Sequence, residues 1–518
     1  NIAGYELPWE DKTFSYDPRT ESPLNFFIRA TKGAFDDGNQ FGEPVILTFA
    51  ESFGMIIGDK RWEFVKPVMF SGGFSIIDAR HVEKAKPKEG WLVVKIGGLA
   101  YRVGVGGGSA SSMMQGESTE DLDFNSVQRA NGEMANKADR VLRACILMGE
   151  RNPIKVIHDQ GAGGNGNVLK EIVNPQGAVI RLRSIPLGDP TLTDDEIMVA
   201  EYQENLALLI EPDRWEEFAA ICEREKVHCA AIGVVSHDSK FVVVDEDSTV
   251  VADLDLKHVF GDYPQKMYQD KRRRPPIQPI DIPSDLTVRQ AIERVFRLLG
   301  VCSKEWMTTI VDNSVTGKVV QSESVGQLGL PVNDYSVIAL SHFKHVGQAD
   351  SIGVRPAIGF ISPQAMACMT AAEALLKLIG VPVTRRQDIK VSGNWMLAAK
   401  LPGGIAWLYD AASALNRFMP KIGMGIDGGK DSLSLAAKVD DTTVQSPSTL
   451  VISTYVGCPD FRLRTTPDIK RPGESRLYFV DLAKGNIRLG GSALAQTLCQ
   501  IGTRAPDVES PQTLNRAF

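Results

Sequence analysis

Three glycine-rich stretches contain the residues whose types and spacing best suit chemistry. They read GVGGGSASSMMQGE (104–117), IHDQGAGGNGN (157–167) and GIDGGKDSLSLA (425–436). Glycine lets the backbone approach an oxyanion closely with successive N–H groups turned toward it, which suits a phosphate. For the first stretch taken alone, a tight strand-to-helix turn is an equally good explanation. Taken together, the three stretches indicate an enzyme that handles phosphates.

The second and third stretches add charged and polar side chains to this pattern. Asp159 ends an apolar run, where a carboxylate can bind Mg²⁺ together with phosphate oxygens. His158 is more typical of a hydrogen-bonded residue than of a zinc ligand, because no cysteine or histidine lies at zinc-like spacing. Lys430 and Ser432 are suited to contact phosphate, although the Walker A pattern is not satisfied and the neighbouring aspartates could simply form turns.

The elements that must position these residues follow from the spacing of apolar side chains. Residues 132–149 repeat apolar side chains at intervals of three and four, which predicts a helix. Residues 152–159 predict a strand, and residues 165–173 predict the helix that follows it. Thr287 begins a predicted capping box ahead of another helix, and residues 364–379 predict one more. With short β-rich runs between these helices, the pattern indicates an α+β fold of antiparallel sheets with helices on one face.

A long-range repeat predicts a duplicated architecture. Residues 89–112 and 473–496 each combine a β-rich apolar stretch, a glycine-containing turn, an arginine and the sequence Gly-Gly-Ser-Ala. The copies lie about 380 residues apart, whereas the repeats of solenoids recur every ~20–50 residues. The repeat therefore predicts a duplicated domain pair, with residues 65–75 and 449–459 as partner strands of the two copies.

Composition and charge exclude several classes of protein. The 518 residues, too many for one ordinary core, carry a net charge of -7 and are 43% hydrophobic. The negative charge argues against a nucleic-acid binder, and no apolar run approaches the ~18 residues that span a bilayer. Seven scattered cysteines without a CxxC pair favour free thiols in a reducing compartment. Residues 263–285, rich in proline and basic side chains, predict a solvated linker, with a nuclear signal or an anion patch as the alternatives.

Nine motifs occur in order along the chain: FSGG, GVGGGSASS, DLDFNSVQR, IHDQGAGGNGN, LGDPTLTDDEI, AEYQENLALL, SGNWMLAAKLPG, DGGKDSLSLAAKV and RLGGSALAQ. Through them essentially the whole sequence resembles the phosphoribosylformylglycinamidine synthase family in its large, single-chain form. The resemblance implies an α+β fold with a duplicated A/B domain pair similar to aminoimidazole ribonucleotide synthetase, truncated at both ends. We expect the C-terminal part of a first A domain at 1–87, a complete first B domain at 88–265, a linker at 266–285, a complete second A domain at 286–465 and the start of a second B domain at 466–518.

The implied activity is that of a glutamine- and ATP-dependent ligase of de novo purine synthesis. ATP phosphorylates the amide oxygen of formylglycinamide ribonucleotide to give an iminophosphate, and ammonia then displaces phosphate to give the amidine. The resemblance implies ATP/ADP and Mg²⁺ as cofactors. It also implies a glutaminase domain on the same full-length chain, a monomeric protein, a cytoplasmic location and no nucleic-acid or membrane partner. The family's catalytic histidine is expected before Asn1, and its glutaminase Cys-His-Glu triad is absent from this sequence. Because half of each A–B pairing surface is expected to be missing, we expect the 518-residue chain to be inactive alone.

The same resemblance assigns roles to individual residues. The implied substrate contacts are Gln128, Glu201, Tyr202, Gln203 and Ser432, with Tyr202 in place of a family serine. The implied Mg²⁺ ligand beside the substrate is Asp159. The implied ATP contacts are Asp59, Lys60, Arg61, Gly429 and Lys430, with Lys430 in place of an asparagine, as in other large members of the family.

A second, structural nucleotide with its own Mg²⁺ is also implied. Val311 matches a nucleotide contact, and Asp312 and Glu373 match metal ligands. The position of a further ligand, an asparagine in the family, holds Lys377. A Glu–Lys pair four residues apart on a helix is a favourable ion pair, worth about 0.2–0.5 kcal/mol. We therefore expect the Lys377 ammonium to pair with Glu373 and to replace the cation.

Two other interpretations stay open. Lys377 and Tyr202 also suit a non-catalytic relative that binds nucleotide as a scaffold or interaction protein. A member of the superfamily with a single domain pair, such as the aminoimidazole, selenophosphate or thiamine-phosphate enzymes, is disfavoured by the repeat, because those enzymes use one A–B pair per chain.

Overall fold

The structure, a computed structural model, describes residues 5–14, 16, 21–66, 69–127, 131–161, 163–202, 204–309, 314–439 and 441–518. The chain forms two compact units. The larger unit comprises residues 1–74, 114–116 and 268–518, and the smaller unit comprises residues 75–113 and 117–267. Across the described ranges, no helix is both long enough and apolar enough to cross a membrane.

The elements are numbered in chain order. The helices are α1 (Pro23–Phe41), α2 (Gly107–Ser112), α3 (Glu120–Ser126), α4 (Gly132–Leu147), α5 (Gly164–Val173), α6 (Asp194–Val199), α7 (Trp215–Glu225), α8 (Leu256–Val259), α9 (Val288–Val295), α10 (Glu305–Thr308), α11 (Pro363–Lys377), α12 (Gly404–Phe418), α13 (Ala493–Thr497) and α14 (Pro511–Ala517). The strands are β1 (Gly54–Ile57), β2 (Lys60–Glu63), β3 (Leu92–Gly97), β4 (Ile154–Asp159), β5 (Gly177–Arg181), β6 (Asn205–Ile210), β7 (His228–Val235), β8 (Lys240–Val244), β9 (Val250–Asp255), β10 (Val319–Gln321), β11 (Ser324–Val325), β12 (Leu330–Pro331), β13 (Tyr335–Ala339), β14 (Gly347–Val354), β15 (Lys390–Met396), β16 (Gly425–Ser432), β17 (Ala436–Val439), β18 (Thr442–Gln445) and β19 (Thr449–Cys458).

The smaller unit is built on a seven-stranded sheet with strand order β4-β6-β3-β7-β5-β8-β9. Its strands pair antiparallel except for β5 and β8, which are parallel. Because side chains alternate between the two faces of a strand, the central strands contribute to two apolar cores. The helices α5 and α6 cover one face, and α4 and α7 cover the other. Helices therefore lie on both faces of this sheet rather than on one, and β4 leads directly into the glycine turn before α5.

The larger unit contains a six-stranded sheet of order β10-β13-β14-β19-β15-β16, a four-stranded sheet of order β1-β2-β18-β17 and the pair β11-β12. The pairs β15–β16 and β2–β18 are parallel, and the remaining pairs are antiparallel. Buried alanine and leucine side chains of α11 and α12 fill the core against the six-stranded sheet. A Cβ at Gly353 would lie 2.2 Å from the Thr370 carbonyl oxygen, so glycine lets α11 pack closely on β14. The mixed sheets confirm the predicted α+β class.

Elements predicted from short-range patterns are confirmed. The helix predicted over 132–149 is α4, and the strand and helix around the second glycine stretch are β4 and α5. At the start of α9, Thr287 Oγ1 accepts the Gln290 N–H at 3.3 Å, and Gln290 Oε1 accepts the Thr287 N–H at 2.9 Å. This reciprocal pair is the predicted capping box, and the helix predicted over 364–379 is α11.

Three predictions that concern strands are wrong. Most of the stretch 425–436 is not a turn but the edge strand β16, which pairs in parallel with β15. The described part of 65–75 contains no strand, although its predicted counterpart at 449–459 is β19. Residues 473–489 also contain no strand, and most of their large apolar side chains are exposed, whereas Leu482 is partly buried. The corresponding strand of the first copy, β3, pairs with β6 and β7, which lie more than 100 residues further along the chain. A β-rich run does not form a strand where its backbone N–H and C=O groups find no partner.

Residues 262–283, which include most of the predicted linker, carry no helix or strand, but part of this segment is attached to the larger unit. Asp270 accepts hydrogen bonds from the Gly403 and Ala406 N–H groups at 3.0 and 3.1 Å and so caps α12. Arg272 donates two hydrogen bonds of 2.8 Å to Asp410. A carboxylate at a helix N-terminus satisfies unpaired N–H groups and interacts favourably with the helix dipole. This part of the segment is therefore held against α12 rather than fully solvated.

Candidate functional site

One carboxylate connects the first two glycine stretches. Glu201 follows α6, is 7% exposed, and its Oε1 accepts the N–H groups of Gly108 and Gly163 at 3.0 and 3.1 Å. The residues that cap α2 and α5 at their N-termini are glycines in the left-handed region, at φ 74° and 93°, with no capping side chain of their own. The Glu201 carboxylate therefore provides the acceptor that both helix starts lack.

The glycines at these turns are required by the close approach of the segment around Glu201. A Cβ at Gly107 would lie 2.9 Å from Glu201 Oε2. A Cβ at Gly164, where φ is +60°, would lie 2.6 Å from the Ala200 carbonyl oxygen. Backbone N–H groups that the sequence suggested for a phosphate are thus bonded to a carboxylate of the same chain, so Glu201 itself organises the two turns.

Tyr202, the residue after Glu201, is part of the apolar core. Its side chain is buried, and its hydroxyl oxygen accepts a hydrogen bond of 2.6 Å from Asn165 Nδ2. Burial raises the pKa of the Tyr202 phenol to about 12. Gln203 and Gln128, which the resemblance also assigned to substrate, lie outside the described residues.

Asp159 presents a carboxylate to solvent at the end of β4. Its side chain is 83% exposed, and its Oδ1 lies 3.3 Å from His158 Nδ1. The other ring nitrogen of His158, Nε2, lies 2.8 Å from Glu171 Oε2. Two carboxylates therefore orient the histidine, which supports the prediction of a hydrogen-bonded residue at position 158.

Lys95 is a residue of this site that the sequence analysis missed. It lies on β3 and is 1% exposed, and its ammonium donates a hydrogen bond to Gln160 Oε1. Gln160 Nε2 in turn donates to the Ala200 carbonyl oxygen at 3.0 Å. Burial lowers the pKa of Lys95 to about 7. The signal in the sequence was a single charged residue inside the apolar run LVVKIG.

In the larger unit, Glu373 and Lys377 form the ion pair expected on α11. The Lys377 ammonium lies 3.1 Å from Glu373 Oε1, donates to the Ile352 carbonyl oxygen at 2.9 Å and lies 4.0 Å from Asp334 Oδ1. Glu373 Oε1 also accepts from Arg355 Nη2 at 2.6 Å. The second Glu373 oxygen, Oε2, accepts the Val354 N–H at 2.9 Å. Asp334 is thus an acidic neighbour that the sequence analysis did not identify, whereas Val311 and Asp312 lie outside the described residues.

The predicted ATP contacts of the larger unit differ in how accessible they are. Asp59 and Lys60 are exposed at the turn between β1 and β2. Arg61 is buried: its guanidinium contacts Asp11 and Glu63 at 2.6 Å each and lies over the Phe14 ring at 3.8 Å. Its hydrogen-bonding capacity is used to a large extent by these partners, so its evident role is to fix the N-terminal segment to β2.

Ser432 and its neighbours lie on the exposed edge strand β16. Gly429 has φ +156°, and a Cβ there would lie 2.0 Å from the Gly393 carbonyl oxygen of β15, so this position requires glycine for packing. Lys430 is exposed and Ser432 is half-buried. The edge therefore presents an ammonium and a hydroxyl to solvent.

Comparisons with known proteins agree with one family along the whole chain. The family model described as "AIR synthase related protein, C-terminal domain" matches residues 88–246, and "FGAR-AT PurM_N-like domain" matches residues 303–457. The phosphoribosylformylglycinamidine synthase of Homo sapiens is 46% identical over 537 aligned residues, which cover all of this chain and 40% of the relative. The probable chloroplastic/mitochondrial phosphoribosylformylglycinamidine synthase of Arabidopsis thaliana is also 46% identical, and the match covers all of this chain and 38% of the relative.

The chain belongs to the phosphoribosylformylglycinamidine synthase family. It spans about two fifths of the length of these curated relatives. Among solved structures, "T. maritima PurL complexed with FGAR" matches with a TM-score of 0.58 at 16% identity, covering 84% of this chain and 65% of that one. "T. maritima PurL complexed with ATP" matches with a TM-score of 0.52 at 16% identity, covering 75% of this chain and 56% of that one. These similarities confirm the fold.

The two acidic positions that the synthase family implies as metal sites differ in their fit to Mg²⁺. Asp159 fits, because it offers an exposed carboxylate beside a glycine turn, and Mg²⁺ in proteins is often held by one or two carboxylates plus substrate phosphates. Glu373 does not fit, because both of its oxygens already accept hydrogen bonds and two of its donors are cationic. Within the described ranges, no group of three or more His, Cys, Asp or Glu side chains could hold a metal ion.

Proposed function

We propose that the protein to which this chain belongs is an ATP-dependent ligase of purine biosynthesis that converts formylglycinamide ribonucleotide to formylglycinamidine ribonucleotide. The observation that carries the proposal is the 46% identity to phosphoribosylformylglycinamidine synthases along the entire chain. The PurL structures of similar fold are described as complexes with FGAR, ATP and ADP, which is consistent with the same reactants. Ammonia would come from glutamine through a glutaminase domain of the full-length protein.

The reaction is proposed to proceed in two displacements. The amide oxygen of the substrate attacks the γ-phosphorus of ATP, an O–P bond forms, and ADP leaves. Ammonia then attacks the activated carbon, the C–O bond to phosphate breaks, and the amidine and inorganic phosphate are released. Both steps develop negative charge on phosphate oxygens, so positioning and electrostatic stabilisation are the main tasks of the protein.

The residues of the smaller unit suit the positioning and charge stabilisation of a phosphorylated substrate. Glu201 holds the Gly108 and Gly163 turns in one arrangement, beside which a phosphorylated ligand would bind. Asp159 would hold Mg²⁺ together with phosphate oxygens. When bound, Mg²⁺ would neutralise phosphate charge and orient the transferred group. Gln128, Tyr202 and Gln203 remain proposed contacts or supports of the substrate.

The residues of the larger unit are proposed to serve nucleotide binding. Lys430 and Ser432 on β16 present donors to solvent, and Asp59 and Lys60 are exposed where the chain turns from β1 into β2. The domain boundaries at residues 88, 265, 286 and 465 and the structural nucleotide near Val311 and Asp312 are likewise proposals. At Glu373 the proposal assigns the cationic role to Lys377 and not to a metal ion, because the ammonium and the Arg355 guanidinium already contact the carboxylate.

The test is a turnover assay of the full-length protein with ATP, formylglycinamide ribonucleotide and either glutamine or ammonium. We expect equal amounts of amidine, ADP and phosphate from the wild type. Asp159→Asn should lower kcat/KM by about 100-fold and raise the Mg²⁺ concentration needed for half-maximal rate, because it removes an anionic metal ligand. The exposed Asp262→Asn is the matched control and should behave as wild type.

Two results would count against the proposal. Nucleotide binding without any amidine formation by the wild type would favour a scaffold protein instead of a ligase. An unchanged Mg²⁺ dependence in Asp159→Asn would show that Asp159 is not a metal ligand. The proposed ligase activity would not be affected by that result.

A further inference from the structure

Lys95 is a charged residue at the centre of the seven-stranded sheet in the smaller unit. It lies on β3, between β6 and β7, and its register partners on those strands are Ala207 and Ala230. Residues paired directly across a sheet project from the same face. The small alanines therefore leave room for the long side chain, and the ammonium lies within the core that α5 covers, with Lys95 only 1% exposed.

The contacts of the ammonium lead to the glycine turns. Lys95 Nζ donates to Gln160 Oε1 and lies 5.9 Å from the centroid of the Tyr202 ring. The Gln160 backbone N–H donates to the Asn205 carbonyl oxygen at 3.0 Å, and its side-chain Nε2 donates to the Ala200 carbonyl oxygen at 3.0 Å. Gln160 is therefore fixed at its backbone, its amide oxygen and its amide nitrogen.

These contacts connect Lys95 to Glu201 through Gln160 and Ala200. Ala200, which Gln160 holds, directly precedes Glu201 in the chain. The Glu201 carboxylate then accepts the N–H groups of Gly108 and Gly163. The side chain of Lys95 thus sets the position of Gln160, and Gln160 sets the position of the segment that closes both glycine turns.

As far as stability is concerned, a lysine at this position is unfavourable. Removing an ammonium from water is costly, and one neutral amide oxygen compensates only part of that cost. The lowered pKa of Lys95 agrees with this penalty. Methionine has a similar length and would fill the same space without it. Residues that reduce stability and contact a functional site are typical of the trade-off between stability and activity.

We propose that Lys95 is a positioning residue of the ligase site, which holds Gln160 and the 200–202 segment so that both glycine turns are arranged for a phosphorylated ligand. The assignment rests on the proposed function for the identity of that ligand. It does not require Lys95 to touch substrate.

The test compares Lys95→Met and Lys95→Arg in the full-length protein, with Lys240→Met as control. Lys240 also lies on a strand of this sheet, but it is exposed and pairs with Asp253 at 3.0 Å. We expect Lys95→Met to lower kcat/KM by about 100-fold, mainly through kcat, as displaced catalytic geometry does. Its thermal midpoint should be equal to or above that of wild type, and Lys95→Arg should recover part of the rate. Lys240→Met should keep kcat/KM within about twofold of wild type.

Hydrogen–deuterium exchange separates this proposal from the proposed function. In Lys95→Met, peptides covering 104–112 and 159–166 should exchange at least about fivefold faster, because local opening becomes easier, while 240–255 stays unchanged. Faster exchange at the turns in a protein that shows no ligase turnover would reject the function and support the positioning role. Unchanged exchange at the turns, full activity of Lys95→Met, or a joint loss of activity and thermal stability would each overturn the proposal.

Discussion

At the residue scale, the smaller unit contains two buried residues of opposite charge whose charged groups form hydrogen bonds within the chain. Glu201 accepts two backbone N–H groups, and Lys95 donates to one side-chain amide. The resemblance pointed to Glu201 but not to its partners, since Gly108 and Glu201 lie 93 residues apart in the chain. Lys95 was missed because lysine is almost never fully buried without a partner, so a lysine in a strand is ordinarily taken as exposed.

The stability of the protein should depend on pH through Lys95. Burial lowers the pKa of Lys95 from 10.5 to about 7, so between these values the folded protein binds fewer protons than the unfolded chain. Wild-type stability therefore rises with pH across this window, whereas Lys95→Met lacks the effect. Lys95→Met should be more stable than wild type by at most about 4–5 kcal/mol at pH 7 and below, and the difference should shrink toward pH 10.

Thermal midpoints of both proteins between about pH 6 and pH 10 check this expectation. Lys240→Met, which removes an exposed ammonium from the same sheet, should run parallel to wild type. A constant difference between Lys95→Met and wild type over the whole range would contradict the assignment of a buried, weakly compensated ammonium.

At the scale of elements, the sequence predicted structure where the determining interactions are short-range. The spacing of Met134, Val141 and Cys145 predicted α4, and these side chains are buried in one core. The Thr287 capping box likewise depends on two residues that lie three positions apart in the chain. The β-rich run at 473–489 failed as a prediction because strand formation depends on partners distant in sequence. The stretch 425–436 was read as a turn from its glycines, whereas β15 supplies a partner that makes it an edge strand.

The attachment of the 262–283 segment to α12 should depend on Asp270. Asp270→Ala removes the acceptor of the Gly403 and Ala406 N–H groups, and loss of such a cap costs about 1 kcal/mol. We expect trypsin to cleave after Arg273 about fivefold faster in this variant, because the detached state becomes more populated.

Limited proteolysis of the full-length protein, followed by mass spectrometry, measures this rate. Asp285→Ala is the control, because Asp285 follows the same segment and is exposed. The Arg272–Asp410 ion pair remains in both variants. Equal cleavage rates for the two variants would mean that this ion pair, rather than the cap, holds the segment.

At the scale of the whole molecule, the two units present their key carboxylates in opposite electrostatic states. In the smaller unit, Asp159 is exposed and lies beside His158. In the larger unit, Glu373 is contacted by a guanidinium and an ammonium, and burial raises the pKa of nearby Glu51 to about 7. The surroundings of Asp159 therefore favour a bound cation, whereas those of Glu373 disfavour one. The sequence alone suggested this contrast at Lys377, but only the structure brought Asp334 and Arg355 into the same cluster.

Replacing Lys377 should therefore allow Mg²⁺ to bind at Glu373, where the ion pair opposes it in the wild type. Lys377→Asn leaves Glu373 and Asp334 without the ammonium, which costs about 1 kcal/mol for a partly exposed ion pair. Carboxylate and amide oxygens are the ligands that Mg²⁺ prefers, so millimolar Mg²⁺ should raise the thermal midpoint of Lys377→Asn more than that of wild type. The exposed Lys344→Asn serves as control and should respond to Mg²⁺ as wild type does. If Mg²⁺ shifts the wild type and Lys377→Asn by the same amount, Lys377 does not take the place of the cation.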